Sequence, residues 1–128
     1  MLSGAFDLEG NTATFRNNND ADIGAVSGSG DIIKASGNGG TLTLNGDVNV
    51  GNVFFNDGGL RIAAGGDISG GNIFLGSSIH QNNTTLDLAA TGIDIDRPIE
   101  VEDAGGAEVK KIITSVAGTA LLSGAIQL

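Results

Sequence analysis

Residues 40–76 read GTLTLNGDVNVGNVFFNDGGLRIAAGGDISGGNIFLG, a stretch that states one apolar pattern twice. The offset between the two copies is 18 residues at first and 20 residues afterwards. The matched pairs are Leu42/Leu60, Leu44/Ile62, Asp47/Asp67, Val48/Ile68, Asn52/Asn72, Val53/Ile73, Phe54/Phe74 and Phe55/Leu75. A recurrence of about 20 residues is typical of a solenoid, in which each repeat forms one coil that stacks on the next.

Within each copy, polar and apolar residues alternate, as they do in Thr41–Leu44. The same alternation recurs at 60–62, 86–88, 93–96 and 99–102. Alternation over a few residues indicates a short strand with one buried face, and the Gly, Asn and Asp residues between such strands indicate turns. We therefore predict an all-β fold whose core contains Leu44, Val53, Ile62 and Ile73.

Two further sequence similarities connect segments that are far apart in the chain. GTLTLNGDV at 40–48 resembles GTALLSGAI at 118–126, and SGAFDL at 3–8 resembles SGAIQL at 123–128. These similarities predict that the chain begins and ends at equivalent points of a longer solenoid. Three Gly-Asp-apolar tripeptides, at 30–32, 46–48 and 66–68, predict equivalent turns in which the aspartate accepts bonds from backbone N–H groups.

The composition fits one domain spanning residues 1–128, with 22 glycines and 40% hydrophobic residues. A β-sandwich or barrel could also be built from short strands, but the recurrence and the 4% aromatic content favour a narrow aliphatic solenoid core. Phe54, Phe55 and Phe74 are predicted to stack in that core. Residues 104–118 also show helical spacing, although their β-branched residues favour a strand.

Charge and cysteine content exclude several classes of function. The net charge of −9 would repel a phosphate backbone, so a nucleic-acid partner is not expected. Cysteine is absent, which removes disulfides and thiolate metal sites. No run of about 18 apolar residues occurs, so this segment is not predicted to span a membrane. The N-terminal residues lack the pattern of a signal peptide, so an exported protein would contain this chain as an excised piece.

Candidate chemistry is confined to one acidic segment. Calcium binds six to eight oxygen ligands, and carboxylates on adjacent coils could supply several of them. The candidate calcium ligands are Asp94, Asp96, Glu100, Glu102 and Asp103. The alternative is a solvated acidic face that Arg97 partly screens. No other cofactor is predicted, and no catalytic residue, because the single histidine, His80, has the setting of an exposed loop residue.

Residues 23–50, IGAVSGSGDIIKASGNGGTLTLNGDVNV, resemble the repeats of bacterial autotransporter passenger domains. The NVFFNDGGLRIAAGGDISG that follows at 52–70 is similar to rickettsia-like surface antigens and to filamentous-haemagglutinin-like adhesins. The resemblance implies a right-handed, single-stranded parallel β-helix, and a chain of this length holds about six coils. Residues 77–117 depart from the repeat and leave the coil boundaries there open.

The same resemblance implies a function. It suggests a non-enzymatic segment of a longer passenger domain, secreted or displayed at the outer membrane of a bacterium as an adhesin or stalk. The partner would be a host-cell or surface protein or a glycan. Two alternatives stay open: a polysaccharide-active β-helix enzyme or phage tailspike segment, and a filament subunit that self-associates through open β-helix ends.

Overall fold

The structure is a computed structural model that describes residues 4–63, 68–76, 82–102, 111–115 and 120–128. These ranges contain short strands and no α-helix. The strands are β1 (Phe6–Asp7), β2 (Ala13–Phe15), β3 (Ala21–Ile23), β4 (Val26–Ser27), β5 (Ile32–Lys34), β6 (Thr41–Leu44), β7 (Val48–Val50), β8 (Val53–Phe55), β9 (Gly58–Ile62), β10 (Ile68–Gly70), β11 (Ile73–Gly76), β12 (Thr84–Leu88), β13 (Asp94–Ile95), β14 (Ile99–Glu102), β15 (Lys111–Ser115), β16 (Leu121–Leu122) and β17 (Ile126–Gln127).

The strands form three parallel sheets that the chain visits in turn. Face 1 contains β1, β4, β7, β10, β13 and β16; face 2 contains β2, β5, β8, β11, β14 and β17; face 3 contains β3, β6, β9, β12 and β15. Each passage through the three faces is one coil, and the described strands make five complete coils and two strands of a sixth. The protein is therefore a parallel β-helix, as the repeat predicted. A right-handed crossover is the general rule for parallel strands.

The inward side chains stack in rows along the axis. Leu44, Val53, Ile62 and Ile73 are each at most 1% exposed, which confirms the predicted core. On face 3, Leu44 lies between Ile23 and Ile62 in register. Stacked aliphatic side chains of this kind supply most of the stabilisation, because each coil buries its apolar residues against the coils on either side.

The unequal offsets of the repeat are explained by the corner loops. Leu42 pairs with Leu60 at an offset of 18, whereas Val53 pairs with Ile73 at an offset of 20. The connection from β5 to β6 covers residues 35–40, and the one from β8 to β9 covers only residues 56 and 57. The strands keep their register while the loop between faces 2 and 3 changes in length.

The segments related by the longer sequence similarities do not lie at equivalent positions of the coil. The prediction that the chain begins and ends at equivalent points of the repeat was therefore wrong. Leu121–Leu122 pairs with β13 on face 1, whereas Thr41–Leu44 lies on face 3. Phe6 belongs to face 1 and Ile126 to face 2. All three faces use the same two-residue alternation between glycine turns, so any two strands match locally. Only the backbone pairing distinguishes the faces.

The first Gly-Asp-apolar tripeptide is not equivalent to the other two, because Val48 and Ile68 pair with each other on face 1 whereas Ile32 lies on face 2. Asp31 precedes β5 on face 2, whereas Asp47 precedes β7 on face 1. The third tripeptide has its glycine and aspartate, residues 66 and 67, outside the described residues. In the ambiguous segment, Lys111–Ser115 is a strand that pairs with β12, which confirms the strand prediction for those residues. Residues 103–110 and 116–119 lie outside the described ranges.

Candidate interaction surface

The structure divides the calcium candidates between two faces. Asp94 lies in β13 on face 1 and is followed by Asp96, whereas Glu100 and Glu102 lie in β14 on face 2. The fifth candidate, Asp103, lies outside the described residues. Within the described part of the chain, no three acidic or histidine side chains come close enough together to hold a metal ion. The calcium site stays a prediction, and His80 also lies outside the described ranges.

A shallow pocket lies beside the face 1 carboxylates. It has a volume of about 110 Å³ and is lined by Ile68, Ser69, Asp94 and Asp96. Pockets that enclose an organic ligand usually measure about 300 Å³ or more, so this depression is too small to enclose a sugar ring. Asp94 accepts a hydrogen bond from the Ser123 hydroxyl at 2.9 Å, which ties one of its oxygens to the neighbouring coil.

Side chains at the corner between faces 1 and 2 bond to the backbone of the next coil. The backbone N–H of Asn52 donates to Asp31 Oδ1 at 2.7 Å, and the N–H of Asn72 donates to Asn52 Oδ1 at 3.0 Å. These bonds satisfy turn N–H groups that no strand partner reaches. The predicted backbone-acceptor role is confirmed for Asp31.

Arg97 also lies at this corner and is only 2% exposed. The alternative expectation was that Arg97 screens part of a solvated acidic face; the guanidinium does interact with the Asp96 carboxylate, but from a buried position. Its Nη1 donates to the carbonyl oxygen of Ser69 at 2.7 Å, and its Nη2 donates to those of Gly51 at 3.2 Å and Asn72 at 3.4 Å. The guanidinium therefore links two coils below its own through their backbone.

Glycines keep this corner narrow. At Gly71, an added Cβ would lie 2.0 Å from the carbonyl oxygen of Gly51, so no larger residue fits without a backbone shift. Gly70 has φ +111°, in the region that favours glycine.

Burial lowers the pKa of Arg97 to about 10, an effect that the nearby Asp96 carboxylate opposes. The guanidinium is still charged at neutral pH.

Lys34 is a second buried cation that sequence reasoning missed. It is 1% exposed and lies in an inward row of face 2, between Phe15 and Phe55 in register. Its Nζ donates to the backbone carbonyl oxygens of Asn38 and Asn17. Burial lowers the pKa of Lys34, and the carboxylate of Asp57 opposes that shift. A lysine two residues after Ile32 in an alternating strand could have indicated this inward position.

The difference in melting temperature between the wild type and a Lys34→Met variant is expected to change as the pH is raised from neutral into the alkaline range. The pKa of Lys34 is lower in the folded chain than in the unfolded chain, where it is about 10.5. The folded chain therefore releases the proton first, and wild-type stability rises as pH increases through the folded pKa toward the unfolded one. Methionine fills the same row without a charge and lacks this dependence. Melting temperatures of both proteins between neutral pH and about 10.5 measure it, and parallel curves would contradict it.

Phe54 and Phe74 form an aromatic stack on the outside of face 2. Their ring centroids are 4.7 Å apart and their planes differ by 9°. Both side chains are half-buried, while Phe55 is fully buried. The predicted core stack is thus correct for Phe55 and wrong for the other two. Since successive side chains of a strand point to opposite faces, Phe54 and Phe55 cannot both point inward.

The aromatic pair belongs to an outward row along the axis. Ile33 pairs with Phe54 on one side, and Glu100 pairs with Phe74 on the other. Glu100 Oε1 accepts a hydrogen bond from Asn72 Nδ2 at 2.6 Å, which fixes the carboxylate in place. We call the four residues Ile33, Phe54, Phe74 and Glu100 the aromatic row. It is an apolar strip that ends on an anchored negative charge.

The outward row of face 3 has compensated charges instead. Arg61 Nε lies 2.8 Å from Asp87 Oδ2 in an ion pair. The other oxygen of Asp87 accepts from the Thr114 hydroxyl at 3.1 Å. This outward row, which contains Arg61, Asp87 and Thr114, is therefore polar and internally paired, in contrast to the aromatic row of face 2.

No family model, curated protein or solved structure matches this chain. The fold is thus defined by its own strand pairing. Among the described residues, no helix has both the length and the apolar character to cross a membrane.

Proposed function

We propose that this chain is a non-enzymatic β-helical segment of a secreted or surface-displayed bacterial protein, acting as an adhesin or structural stalk. The observation that carries the proposal is the continuity of the three parallel sheets, each paired from coil to coil along the axis. Backbone hydrogen bonds run along the rod and a stacked aliphatic core fills it, so the segment resists bending and local unfolding.

The resemblance of residues 23–50 to autotransporter passenger repeats supports the bacterial surface assignment. A rod of repeated coils also presents flat faces on which equivalent residues recur at the coil spacing, about 4.8 Å. Such faces suit a partner that makes many weak contacts rather than one that enters a deep pocket. The net charge of −9 favours solubility and a partner that is not anionic.

Adhesion of coated beads to cultured epithelial cells tests this function. Beads coated with the folded chain are expected to adhere several times more than beads coated with a Leu44→Asp variant, which has nearly the same composition but a disrupted core. Equal adhesion of the two would contradict the adhesin function. Release of reducing ends from a polysaccharide panel by the folded chain would contradict the non-enzymatic assignment and favour the enzyme alternative.

The polypeptide of 128 residues, taken alone, is expected to associate end to end. Its outer strands expose Phe6 at 39%, Leu121 at 55% and Ile126 at 50%. An unpaired parallel edge with apolar ladder residues pairs with a further coil, whether from the same chain or from a second copy. The negative charge opposes contact between copies, so association should increase with salt. Sedimentation velocity at low and high salt measures it, and a strict monomer at high concentration and high salt would contradict it.

A further inference from the structure

Three of the four residues in the aromatic row form an apolar strip on the outside of face 2, apart from the buried core. The chain has five phenylalanines, and two of them stack on the outside of face 2. Their partners in register are Ile33 and Glu100, so an apolar strip three coils long lies against a carboxylate one coil further along. Outward positions on short strands are normally polar, and an outward aromatic pair is typical of a contact surface.

The carboxylate at the end of the strip is held in place and keeps a free oxygen. Glu100 Oε1 accepts from Asn72 Nδ2, and no residue in the described ranges donates to its Oε2. Two carboxylates on the neighbouring faces are partnered by side chains: Asp87 by Arg61 and Asp94 by Ser123. Glu100 therefore retains capacity for an additional donor, directly beside the apolar strip.

This combination fits a long basic side chain. Successive coils are about 4.8 Å apart, so the backbone position of Glu100 lies one such step beyond that of Phe74. Its carboxylate reaches back to Asn72, in the same coil as Phe74. A methylene stem can cover the outer edges of the two rings while its charged head reaches the carboxylate. Arginine suits the site better than lysine, because its planar fork offers several donors to an oxygen that is already oriented.

A sugar fits less well. Sugar rings contact the open face of an aromatic ring, but Phe54 and Phe74 cover one face of each other at 4.7 Å. The coils that carry Ile33 and Glu100 flank the remaining faces. The net charge of −9 attracts a cationic partner and repels anionic surfaces. We infer that the aromatic row is a docking site for an arginine-bearing segment of a partner protein, which deepens the proposed adhesin function and rests on it for the presence of such a partner.

The binding experiment uses the full chain and a fluorescent peptide of alternating arginine and leucine at about 0.15 M salt, where long-range attraction is largely screened. The double variant Phe54→Ser/Phe74→Ser is expected to weaken binding about tenfold, because the stem loses its apolar support. Glu100→Gln retains the acceptor for Asn72 and is expected to weaken binding about fivefold. Circular dichroism confirms that each variant is folded.

Matched controls distinguish specific binding of the peptide at the aromatic row from nonspecific electrostatic attraction to an acidic protein. Asp22→Asn removes the same charge as Glu100→Gln but from face 3, and Ile112→Ser removes an exposed apolar side chain from face 3. Both are expected to leave peptide affinity unchanged. Equal losses from Asp22→Asn and Glu100→Gln would overturn the inference, as would binding that is insensitive to the phenylalanine pair.

Amide chemical shifts locate the contact independently. The peptide is expected to perturb residues 33, 54, 74 and 100 more than any others. Perturbation of the same residues by chitohexaose, with none by the peptide, would overturn the arginine assignment in favour of a glycan. Bead adhesion that persists in the phenylalanine variant would refute the docking site while the adhesin function stands. Peptide binding without any bead adhesion would refute the adhesin function instead.

Discussion

Leu44→Asp is expected to unfold the chain at room temperature. Leu44 is completely buried between Ile23 and Ile62, so a carboxylate there has neither water nor a donor of its own. Loss of the buried leucine costs about 2–3 kcal/mol. Protonating or burying the carboxylate adds roughly 4 kcal/mol or more, corresponding to a pKa shift of about three units. The sum is comparable with the whole stability of a small domain, about 5–15 kcal/mol.

Asn45→Asp is the matched control for this substitution. Asn45 is the next residue in the chain and is exposed, so the variant adds the same charge without burying it. Urea denaturation followed by far-UV circular dichroism measures both variants. If Leu44→Asp unfolded at the same urea concentration as Asn45→Asp, the register that places Leu44 inward would be incorrect.

Arg97→Ala is expected to have the second largest effect. The substitution removes a guanidinium that bonds to the carbonyl oxygens of Ser69, Gly51 and Asn72. The carbonyls of Gly51 and Asn72 keep backbone donors, the N–H groups of Gly71 and Val53, so the loss comes from the weakened bonding at these carbonyls and at that of Ser69. A buried hydrogen bond lost in this way costs about 1–3 kcal/mol, and the space vacated by the side chain adds to that loss. We expect a decrease in unfolding free energy of roughly 3 kcal/mol.

Arg61→Ala provides the comparison at an exposed site. The Arg61 side chain is 50% exposed and has a single ion pair with Asp87. Exposed pairs contribute about 0–1 kcal/mol, so this variant should remain close to the wild type in denaturant. Equal losses from the two arginine substitutions would show that Arg97 does not join the coils through their backbone.

The sequence was sufficient to predict the solenoid because the alternation within each strand does not depend on loop length, and the recurrence near 20 residues tolerates small changes in it. Alternation in Thr41–Leu44 indicates which side chains face inward, and the recurrence of that pattern indicates that strands stack. Leu44 and Ile62 could be paired from these two signals alone. The same signals misassigned the ends, since Phe6 and Ile126 have similar neighbours but lie on different faces. Pairing over a distance is set by corner loops, whose lengths vary between coils.

The buried cations were missed because local polarity suggests that they are exposed, although the alternation from Ile32 places Lys34 on the inward side. Arg97 occupies a corner where the preceding coil has glycines, and Lys34 replaces an apolar residue in an inward row. Both depend on backbone carbonyls contributed by other coils. The aromatic row was missed for a related reason: Phe54 and Phe55 were assigned together, although alternation places adjacent residues on opposite sides.

The central claim is that successive coils stack in register along a single axis. Thr14 and Gln127 are exposed on face 2 and lie in the same outward row, five coil steps apart. At about 4.8 Å per step, the two backbone positions are about 24 Å apart. Because the chain lacks cysteine, spin labels can be attached at cysteines introduced at these two positions. Pulsed electron–electron double resonance then measures the distance between the two labels. The parallel β-helix predicts one narrow distribution centred near about 24 Å. A broad distribution, or one centred beyond about 35 Å, would contradict it.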